Sequence, residues 1–230
     1  MRSDARHQAC DNTGVNPRFF DCRTAWESGD LADAAALVTA GAVIVLPTDT
    51  VYGIGTAASE PAAVGALLAT KGRGRQMPPP VLVASAGAID ELCVGAADVA
   101  HRLARAHWPG GLTLILDARP GLGWDLGDTG GTIALRMPDH PRTLELLEAA
   151  GPMAVTSANL TGQAPATSVD EAHAAFLDAI DAYIDAGPTP GATPSTIIDL
   201  AHGAPRVIRL GVLSLDQVCV SAGCDIASLD

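Results

Sequence analysis

The basic segment at residues 71–75 (KGRGR) has the clearest chemical potential in this sequence. It holds Lys71, Arg73 and Arg75, three of only 14 basic residues in a chain of 230 whose net charge is −12. Cations gathered in an acidic protein favour a site for phosphate or carboxylate, because each charge-assisted hydrogen bond to such an anion contributes about 1.5–3 kcal/mol. The alternative is a solvated basic turn, in which the cations complement a helix C-terminus.

A polar loop at residues 47–55 (PTDTVYGIG) follows an apolar, β-branched run at residues 42–47, which predicts a buried strand. Ligand sites in α/β folds gather at the carboxyl ends of strands, so this loop is a candidate wall of a site. Its hydroxyl groups and its positions of open backbone are Thr48, Thr50, Tyr52, Gly53 and Gly55. An ordinary strand-to-helix connection is the alternative.

A second polar loop, at residues 156–162 (TSANLTG), follows another short apolar run at residues 153–156. Ser157 and Asn159 place a hydroxyl and an amide at alternate positions, from which both can reach one ligand. No histidine or acidic residue neighbours Ser157 in the sequence, so we predict that it binds a ligand and is not an activated nucleophile. A helix N-cap or an Asx turn is the alternative use of such residues.

Three arginines and one serine give weaker signals. Arg136 ends a predicted strand, and residues 194–199 (PSTIID) bring Ser195 into another. Arg206 and Arg209 lie three positions apart in a further predicted strand, so strand alternation predicts that they point to opposite faces. A surface salt bridge is the default role of either of these two arginines.

Strand-like and helical segments follow one another along the chain and predict an α/β fold. We expect six or seven strands and about six helices, including a helix at residues 31–40 capped by Asp30 and a helix at residues 169–182. Two strands are joined only by the Gly-rich segment 121–131 (GLGWDLGDTGG), so we expect a mixed sheet, with this segment as a candidate lid. We expect residues 1–23 to be an N-terminal extension, disordered up to Phe19 and Phe20, residues 24–220 to be the catalytic domain, and residues 221–230 to be a C-terminal tail.

Composition excludes several functional classes. With 48% apolar residues the chain is not wholly disordered, and no apolar run approaches the roughly 18–20 residues of a membrane span. The net charge of −12 disfavours a non-specific nucleic-acid binder. The five cysteines form no C-x-x-C pair and the six histidines form no metal-binding motif, so we expect no protein metal site. With no secretory signal in the sequence, we expect a cytoplasmic protein.

Seven motifs, taken in order, resemble those of the YrdC-like family of L-threonylcarbamoyl-AMP synthases over residues 31–211. The motifs are PTDTVYGIG, KGR, WPGGLTL, LRMPDHP, TSANLTG, PSTIID and RVIRLG. The resemblance implies the short, single-domain form of a YrdC-like fold, in which helices flank a twisted mixed sheet around a central ligand cavity. One departure is the basic loop, where the family's K-x-R-P reads Lys71-Gly-Arg-Gly74 and Arg75 follows.

The family's reaction, as the resemblance implies it, makes threonylcarbamoyl-AMP and pyrophosphate from L-threonine, bicarbonate or CO₂, and ATP. Partner proteins of a threonylcarbamoyl-transferase complex then use the product to modify tRNA to threonylcarbamoyladenosine. Mg²⁺ would enter with ATP. Weak contact of this chain with tRNA is compatible with the resemblance, and no membrane partner is expected.

Site residues are carried over from the same resemblance. The catalytic residues would be Lys71, Arg73, Ser157 and Asn159. Threonine would be held by Thr48, Thr50, Tyr52, Arg136, Thr156 and Ser195, with the choice between the first two threonines left open. ATP would contact Lys71, Arg73, Thr132, Ala158, Asn159 and Arg209.

Two other functions stay open on the sequence alone. One is a non-catalytic RNA-binding module of the same fold, against which the acidic charge argues. The other is a related enzyme that uses the same cavity to make a different carbamoyl or acyl adenylate. Pyrophosphate release that depends on threonine would favour the synthase over both. Release that ignores threonine would favour the related enzyme, and no ATP turnover would favour the binding module.

Overall fold

A single mixed sheet of ten strands is the framework of residues 16–227, the part of the chain that the computed structural model describes. The strands are β1 (Arg18–Asp21), β2 (Ile44–Leu46), β3 (Gly53–Ala57), β4 (Val81–Leu82), β5 (Leu112–Asp117), β6 (Thr132–Arg136), β7 (Met153–Ser157), β8 (Ala182–Asp185), β9 (Thr196–Asp199) and β10 (Arg206–Arg209). Across the sheet their order is β1-β8-β2-β3-β7-β4-β6-β5-β9-β10. Parallel pairs such as β4 with β6 occur beside antiparallel pairs such as β5 with β6, which confirms the predicted mixed sheet.

Seven α-helices flank the sheet within the described residues. They are α1 (Asp30–Thr39), α2 (Pro61–Thr70), α3 (Ala88–Leu92), α4 (Asp98–His107), α5 (Pro141–Ala150), α6 (Val169–Phe176) and α7 (Leu215–Ala222). Helices α2 and α5 begin with proline, whose missing N–H costs nothing at a position without an intrahelical partner. Helix α7 begins with a capping box between Ser214 and Gln217. None of these helices combines the length and the apolar character of a membrane span.

Each face of the sheet buries its own apolar cluster. The larger cluster joins sheet residues such as Ile54 and Leu114 to residues of α2, α3, α4, α6 and α7. The smaller cluster joins Leu82 and Val155 to residues of α1 and α5, which cover only one end of the second face. The other end of that face is therefore left to loops, and the candidate site lies there.

Several predicted elements have different limits in the structure. Helix α1 has Gly29 as its N-cap and no side-chain cap, so the prediction that Asp30 caps it is wrong. The helix predicted at residues 169–182 ends at Phe176, and a 3₁₀ turn at Leu177–Ala179 leads into β8. Strand β8 begins at the last residue of the predicted helix and pairs with β1 on one side and β2 on the other, so the chain must leave the helix before it reaches the sheet.

Both segments predicted to flank the catalytic domain contribute residues to the sheet or the core. Strand β1 lies within the segment 1–23 that was expected to be an extension, and Phe20 on it is buried. Ala222 and Ile226 are also buried in the core, although residues 221–230 were predicted to be a tail. The remainder of both predictions falls on residues 1–15 and 228–230, outside the described residues.

Strand β3 requires glycine where it packs closely against its antiparallel neighbour β7. Gly55 lies opposite Val155, and a Cβ atom added at Gly55 would lie 2.6 Å from Val155 Cγ2 and 2.7 Å from the Ala154 carbonyl oxygen. We therefore expect Gly55→Ala to lower the free energy of unfolding by about 1–3 kcal/mol, the usual cost of overpacking a core.

The matched control is Gly65→Ala on α2, where an added Cβ meets nothing within 4 Å. It should raise the free energy of unfolding by up to about 1 kcal/mol, since alanine favours a helix over glycine. Urea unfolding measures both variants. Equal stability of Gly55→Ala and the wild type would contradict the prediction.

Candidate active site

A cavity of about 360 Å³ lies on the second face of the sheet, within the roughly 300–1,000 Å³ typical of ligand pockets. Strand alternation directs every second side chain of two neighbouring strands into it. Thr113 and Ile115 come from β5, and Thr132, Ala134 and Arg136 come from β6. Loops that follow or precede the strands complete the wall.

Most of the predicted substrate-binding residues meet in this cavity. Those that line it are Thr48, Thr50, Tyr52, Arg73, Thr132, Arg136, Thr156, Ser157, Ser195 and Arg209. Lys71, Ala158 and Asn159 do not line it and lie behind the wall formed by the end of β7. Arg206 is also absent from the wall and pairs with Asp199. The simple alternation expected along β10 does not hold, because the pairing register with β9 shifts between Val207 and Arg209.

Arg136 is 7% exposed and is held from two sides. Its Nε donates to the Gly110 carbonyl oxygen at 3.0 Å, and its Nη2 donates to Asp49 Oδ1 at 2.5 Å. Burial lowers the pKa of Arg136, and the charge of Asp49 acts in the opposite direction. The guanidinium is therefore a fixed cation at the end of β6.

Arg209 reaches the cavity from the last strand of the sheet. Its Nε and Nη2 donate to the Ser195 carbonyl oxygen at 3.1 and 2.9 Å, and Nη2 also reaches Ser195 Oγ at 3.1 Å. Ser195 Oγ in turn lies 2.9 Å from Thr113 Oγ1. A chain of hydrogen bonds thus links the side chains of β5, of the residue before β9, and of β10.

Arg73 completes a set of three cavity arginines. Its Nη1 donates to Thr156 Oγ1 at 2.7 Å, while its Nε is buried without a partner. Burial lowers the pKa of Arg73, and burial together with the charges of Arg136 and Arg73 lowers the pKa of Arg209. Arg209 is therefore repelled by the other two cavity arginines, and an anionic ligand would relieve that repulsion.

Lys71 is 1% exposed, although the basic loop that it begins was predicted to face the ligand. Its Nζ donates to the carbonyl oxygens of Ser157 and, at 2.6 Å, of Asn159. The side-chain Nδ2 of Asn159 donates to the carbonyl oxygens of Leu160 and Gln163, and the Oδ1 of the same side chain is buried without a partner. Both residues fix the loop after β7 from behind, and their catalytic role stays a prediction.

The loop after β2 is braced by its own hydroxyl groups. Thr48 Oγ1 donates to the Val51 carbonyl oxygen at 2.6 Å and lies 3.0 Å from Thr50 Oγ1. Tyr52 Oη donates to the Gly187 carbonyl oxygen at 2.6 Å, and burial raises the pKa of this phenol to about 12. Tyr52 is therefore a neutral part of the wall.

Gly53 and Gly55 were predicted to let a ligand approach the backbone. Gly53 lines the cavity, but Gly55 does not. Both lie in β3, which the sequence analysis treated as part of a loop, and both face Val155 of β7 at distances that leave no room for a Cβ. The reason for these glycines is close strand packing.

The Gly-rich segment is fastened to the basic loop by Arg75. The guanidinium of Arg75 donates to both carboxylate oxygens of Asp125, at 2.8 and 3.0 Å, and its Nε lies 3.3 Å from Asp128 Oδ1. The Asp128 amide also donates to the Arg75 carbonyl oxygen at 2.8 Å. Since Leu126 and Thr129 line the cavity, this clasp (Arg75, Asp125 and Asp128) holds part of the cavity wall in place.

Sequence reasoning missed the apolar part of the wall and two polar residues. The missed apolar residues include Met77, Pro78, Pro79, Ile115, Ile197 and Ile208. The two polar residues are Thr113, in the WPGGLTL motif, and Asp49, between Thr48 and Thr50. No site role was predicted for either. Alternation along β5 could have identified Thr113, whereas the contact of Asp49 with Arg136 spans 87 positions.

Comparison with known proteins decides the family. A family model described as "Telomere recombination" (Sua5_yciO_yrdC) matches residues 36–211, more than half of the chain. A Mycobacterium tuberculosis protein named "Putative threonylcarbamoyl-AMP synthase" is 46% identical over 211 residues, which make up 91% of this chain and 97% of that protein. The chain belongs to the Sua5/YciO/YrdC family.

Two further relatives of this Sua5/YciO/YrdC member are longer than this chain, and a third is not. The threonylcarbamoyl-AMP synthase of Bacillus subtilis is 35% identical over 190 residues, which make up 82% of this chain and 55% of that protein. The crystal structure of Pyrococcus abyssi Sua5 complexed with L-threonine matches 92% of this chain and 62% of its own, with a TM-score of 0.83 and 32% identity. Escherichia coli YciO matches over 99% of its own chain and 88% of this one, with a TM-score of 0.79 and 27% identity.

The buried ammonium of Lys71 makes the stability of this family member depend on pH. Burial, with a smaller effect of Arg73, lowers the pKa of Lys71 from 10.5 to about 7. Between these two values the unfolded chain binds a proton that the folded chain does not, so stability should rise with pH, by up to about 1.4 kcal/mol per pH unit.

The variant Lys71→Met removes this group and should flatten the rise between pH 7 and about 10, because other titrating groups are common to both proteins. Urea unfolding at half-unit pH intervals gives the two curves. Parallel curves for the wild type and Lys71→Met would contradict a lowered pKa.

The clasp gives a second expectation. Arg75→Ala should raise the hydrogen-exchange rate of the Asp128 amide several-fold, because the segment loses the ion pairs that hold it against the basic loop. High salt should have the same effect on the wild type, since exposed charges are screened. Arg18→Ala, which removes the exposed ion pair with Asp33, is the control and should leave this amide unchanged.

Proposed function

We propose that this Sua5/YciO/YrdC member is an L-threonylcarbamoyl-AMP synthase, which makes threonylcarbamoyl-AMP and pyrophosphate from L-threonine, bicarbonate and ATP. The observation that carries the proposal is the convergence of Arg73, Arg136 and Arg209 on one cavity of an acidic protein. The names of the M. tuberculosis and B. subtilis relatives support it, as does the L-threonine in the P. abyssi complex.

The donors in the cavity suit phosphoryl transfer. In the proposed reaction bicarbonate takes up a proton and releases water to give CO₂. The neutral threonine nitrogen then forms a bond to the carbon of CO₂ and gives its proton to the solvent, which leaves a carbamate. An oxygen of the resulting carbamate then attacks the α-phosphorus of ATP, and the bond from that phosphorus to the bridging oxygen of pyrophosphate breaks. Such a step depends mainly on positioning and on charge stabilisation, and the three arginines and the hydroxyl groups around them provide both.

The two substrates are assigned to different parts of the wall. Arg136, between Asp49 and Gly110, is the cation best held to receive the threonine carboxylate. Arg73 and Arg209 are then left for the phosphates, beside the hydroxyls of Thr156 and Ser195. Charge-assisted hydrogen bonds of this kind are stronger than those that neutral side chains in the cavity wall could make.

Mg²⁺ is proposed to enter as part of the ATP substrate. Among residues 16–227 no group of three or more His, Cys, Asp or Glu side chains could hold a metal ion. The polar side chains of the cavity wall are hydroxyls and cations, which fit an ion whose ligands are phosphate oxygens and water. The product would be passed in the cytoplasm to partner proteins that modify tRNA, and a chain with a net charge of −12 would contact tRNA weakly at most.

Pyrophosphate release measures the proposed activity directly. We expect release only when ATP, L-threonine and bicarbonate are all present. L-Serine should be slower by about 10–200-fold, since a single methyl group separates it from threonine. Release that ignores threonine but responds to another amine or acid would select a different adenylate, and salt-sensitive RNA binding without release would select the binding module.

Two arginines of β10 give a matched pair of variants for this assay. Arg209→Ala should reduce kcat/KM by about 10–150-fold, the loss of one charge-assisted interaction with substrate. Arg206→Ala should leave the activity of the folded protein unchanged, because Arg206 does not line the cavity and Asp199 keeps donors from the backbone and side chain of His202. Equal losses in both variants would remove Arg209 from the site.

A further inference from the structure

Asp49 lies at the centre of a loop that is anchored on both sides. Thr143 Oγ1 of α5 donates to the Pro47 carbonyl oxygen at 2.6 Å, and Thr48 Oγ1 donates to the Val51 carbonyl oxygen at 2.6 Å. The Asp49 carboxylate also accepts from the backbone amide of Asp139 at 3.1 Å, just beyond β6. The position of this carboxylate is therefore set by α5, by the hydrogen bonds within its own loop and by the segment after β6.

That carboxylate orients Arg136. The guanidinium is a planar fork, and its Nε and Nη2 are occupied by the Gly110 carbonyl oxygen and by Asp49 Oδ1. The Gly110 amide donates to the Met137 carbonyl oxygen at 2.8 Å, which ties this acceptor to the residue after Arg136. With two donors held, the orientation of the group toward the cavity is determined.

Asp49 also places its charge where it does not oppose an anionic ligand. Within the described part of the chain no aspartate or glutamate lines the cavity, and Asp49 lies outside its wall, behind Arg136. The described contacts of Arg73 and Arg209 are with neutral acceptors, so Arg136 is the cavity arginine with a carboxylate partner. A buried cation is costly without such a partner.

We propose that Asp49 is a positioning residue that holds Arg136 for the carboxylate of the amino-acid substrate. This inference rests on the proposed function, because it names the substrate whose carboxylate Arg136 receives. Asp49 does not line the cavity and pairs with Arg136, so its effect should pass through Arg136 and concern threonine more than ATP.

Asp49→Asn is the first test, since it keeps an oxygen for the Asp139 amide and removes the charge. The KM for L-threonine should rise about tenfold while the KM for ATP stays within about twofold. Calorimetric binding should show the same loss for L-threonine and little loss for L-threoninol, which lacks the carboxylate. Asp33→Asn is the control, because it removes the charge of another Arg–Asp pair at an exposed site.

A double-variant cycle separates positioning from a general loss of structure. In an Arg136→Met background, Asp49→Asn should have no further effect on threonine binding, because the group through which it acts is gone. Asp49→Glu should recover part of the binding if the carboxylate is what matters. Additive losses in the cycle, or equal losses for threonine, threoninol and ATP, would overturn the proposal.

One readout does not depend on the reaction. The NMR resonance of Arg136 Nε–H, whose hydrogen bond to Gly110 is buried, should shift or broaden in Asp49→Asn and stay unchanged in Asp33→Asn. A wild type that neither binds L-threonine nor releases pyrophosphate would overturn the proposed function and the substrate named here. An unchanged Nε–H resonance in Asp49→Asn would overturn the positioning role even if the enzyme is active.

Discussion

The repulsion of Arg209 by the two other cavity arginines is the constraint on which the site depends. Arg73, Arg136 and Arg209 share a cavity of about 360 Å³ in which water screens their charges less than it would at an open surface. Each is held by acceptors that belong to a neighbouring strand end or loop, including Thr156 Oγ1 and the Ser195 carbonyl oxygen. The protein thus keeps the cations close to one another, and a polyanion gains from all three.

The sheet order makes this arrangement possible. Strands β6, β5, β9 and β10 lie side by side, so Arg136, Thr113, Ser195 and Arg209 are neighbours although 96 positions of the chain separate Thr113 from Arg209. Helices α1 and α5 cover the opposite end of the same face, which leaves the polar end to be enclosed by loops. The loop after β2 and the Gly-rich segment then approach the arginines from two sides.

The sequence predicted the fold class and most of the cavity because both depend on local pattern. Apolar runs such as residues 42–47 marked strands, and hydroxyl-rich loops after them marked the wall. The errors arose where distant contacts outweigh local preference. The helix predicted at residues 169–182 ends at Phe176, because the chain then turns to place β8 between β1 and β2. The burial of Lys71 against carbonyl oxygens also had no local signal, although its role at the site stays a prediction. The partnership of Asp49 with Arg136 had no signal in local sequence at all.

The strand order has a consequence for how the protein acquires its site during folding. Strands β9 and β10 come late in the chain but pack beside β5, so the cavity forms only after residues far apart have met. Contacts of this kind slow folding, because loop closure precedes any gain from them. A partly folded chain that has assembled only the hairpin of β5 and β6 holds Arg136 but lacks Ser195 and Arg209. Tight ligand binding is therefore a property of the completed native state alone, and a bound ligand adds its whole stabilising effect to global unfolding.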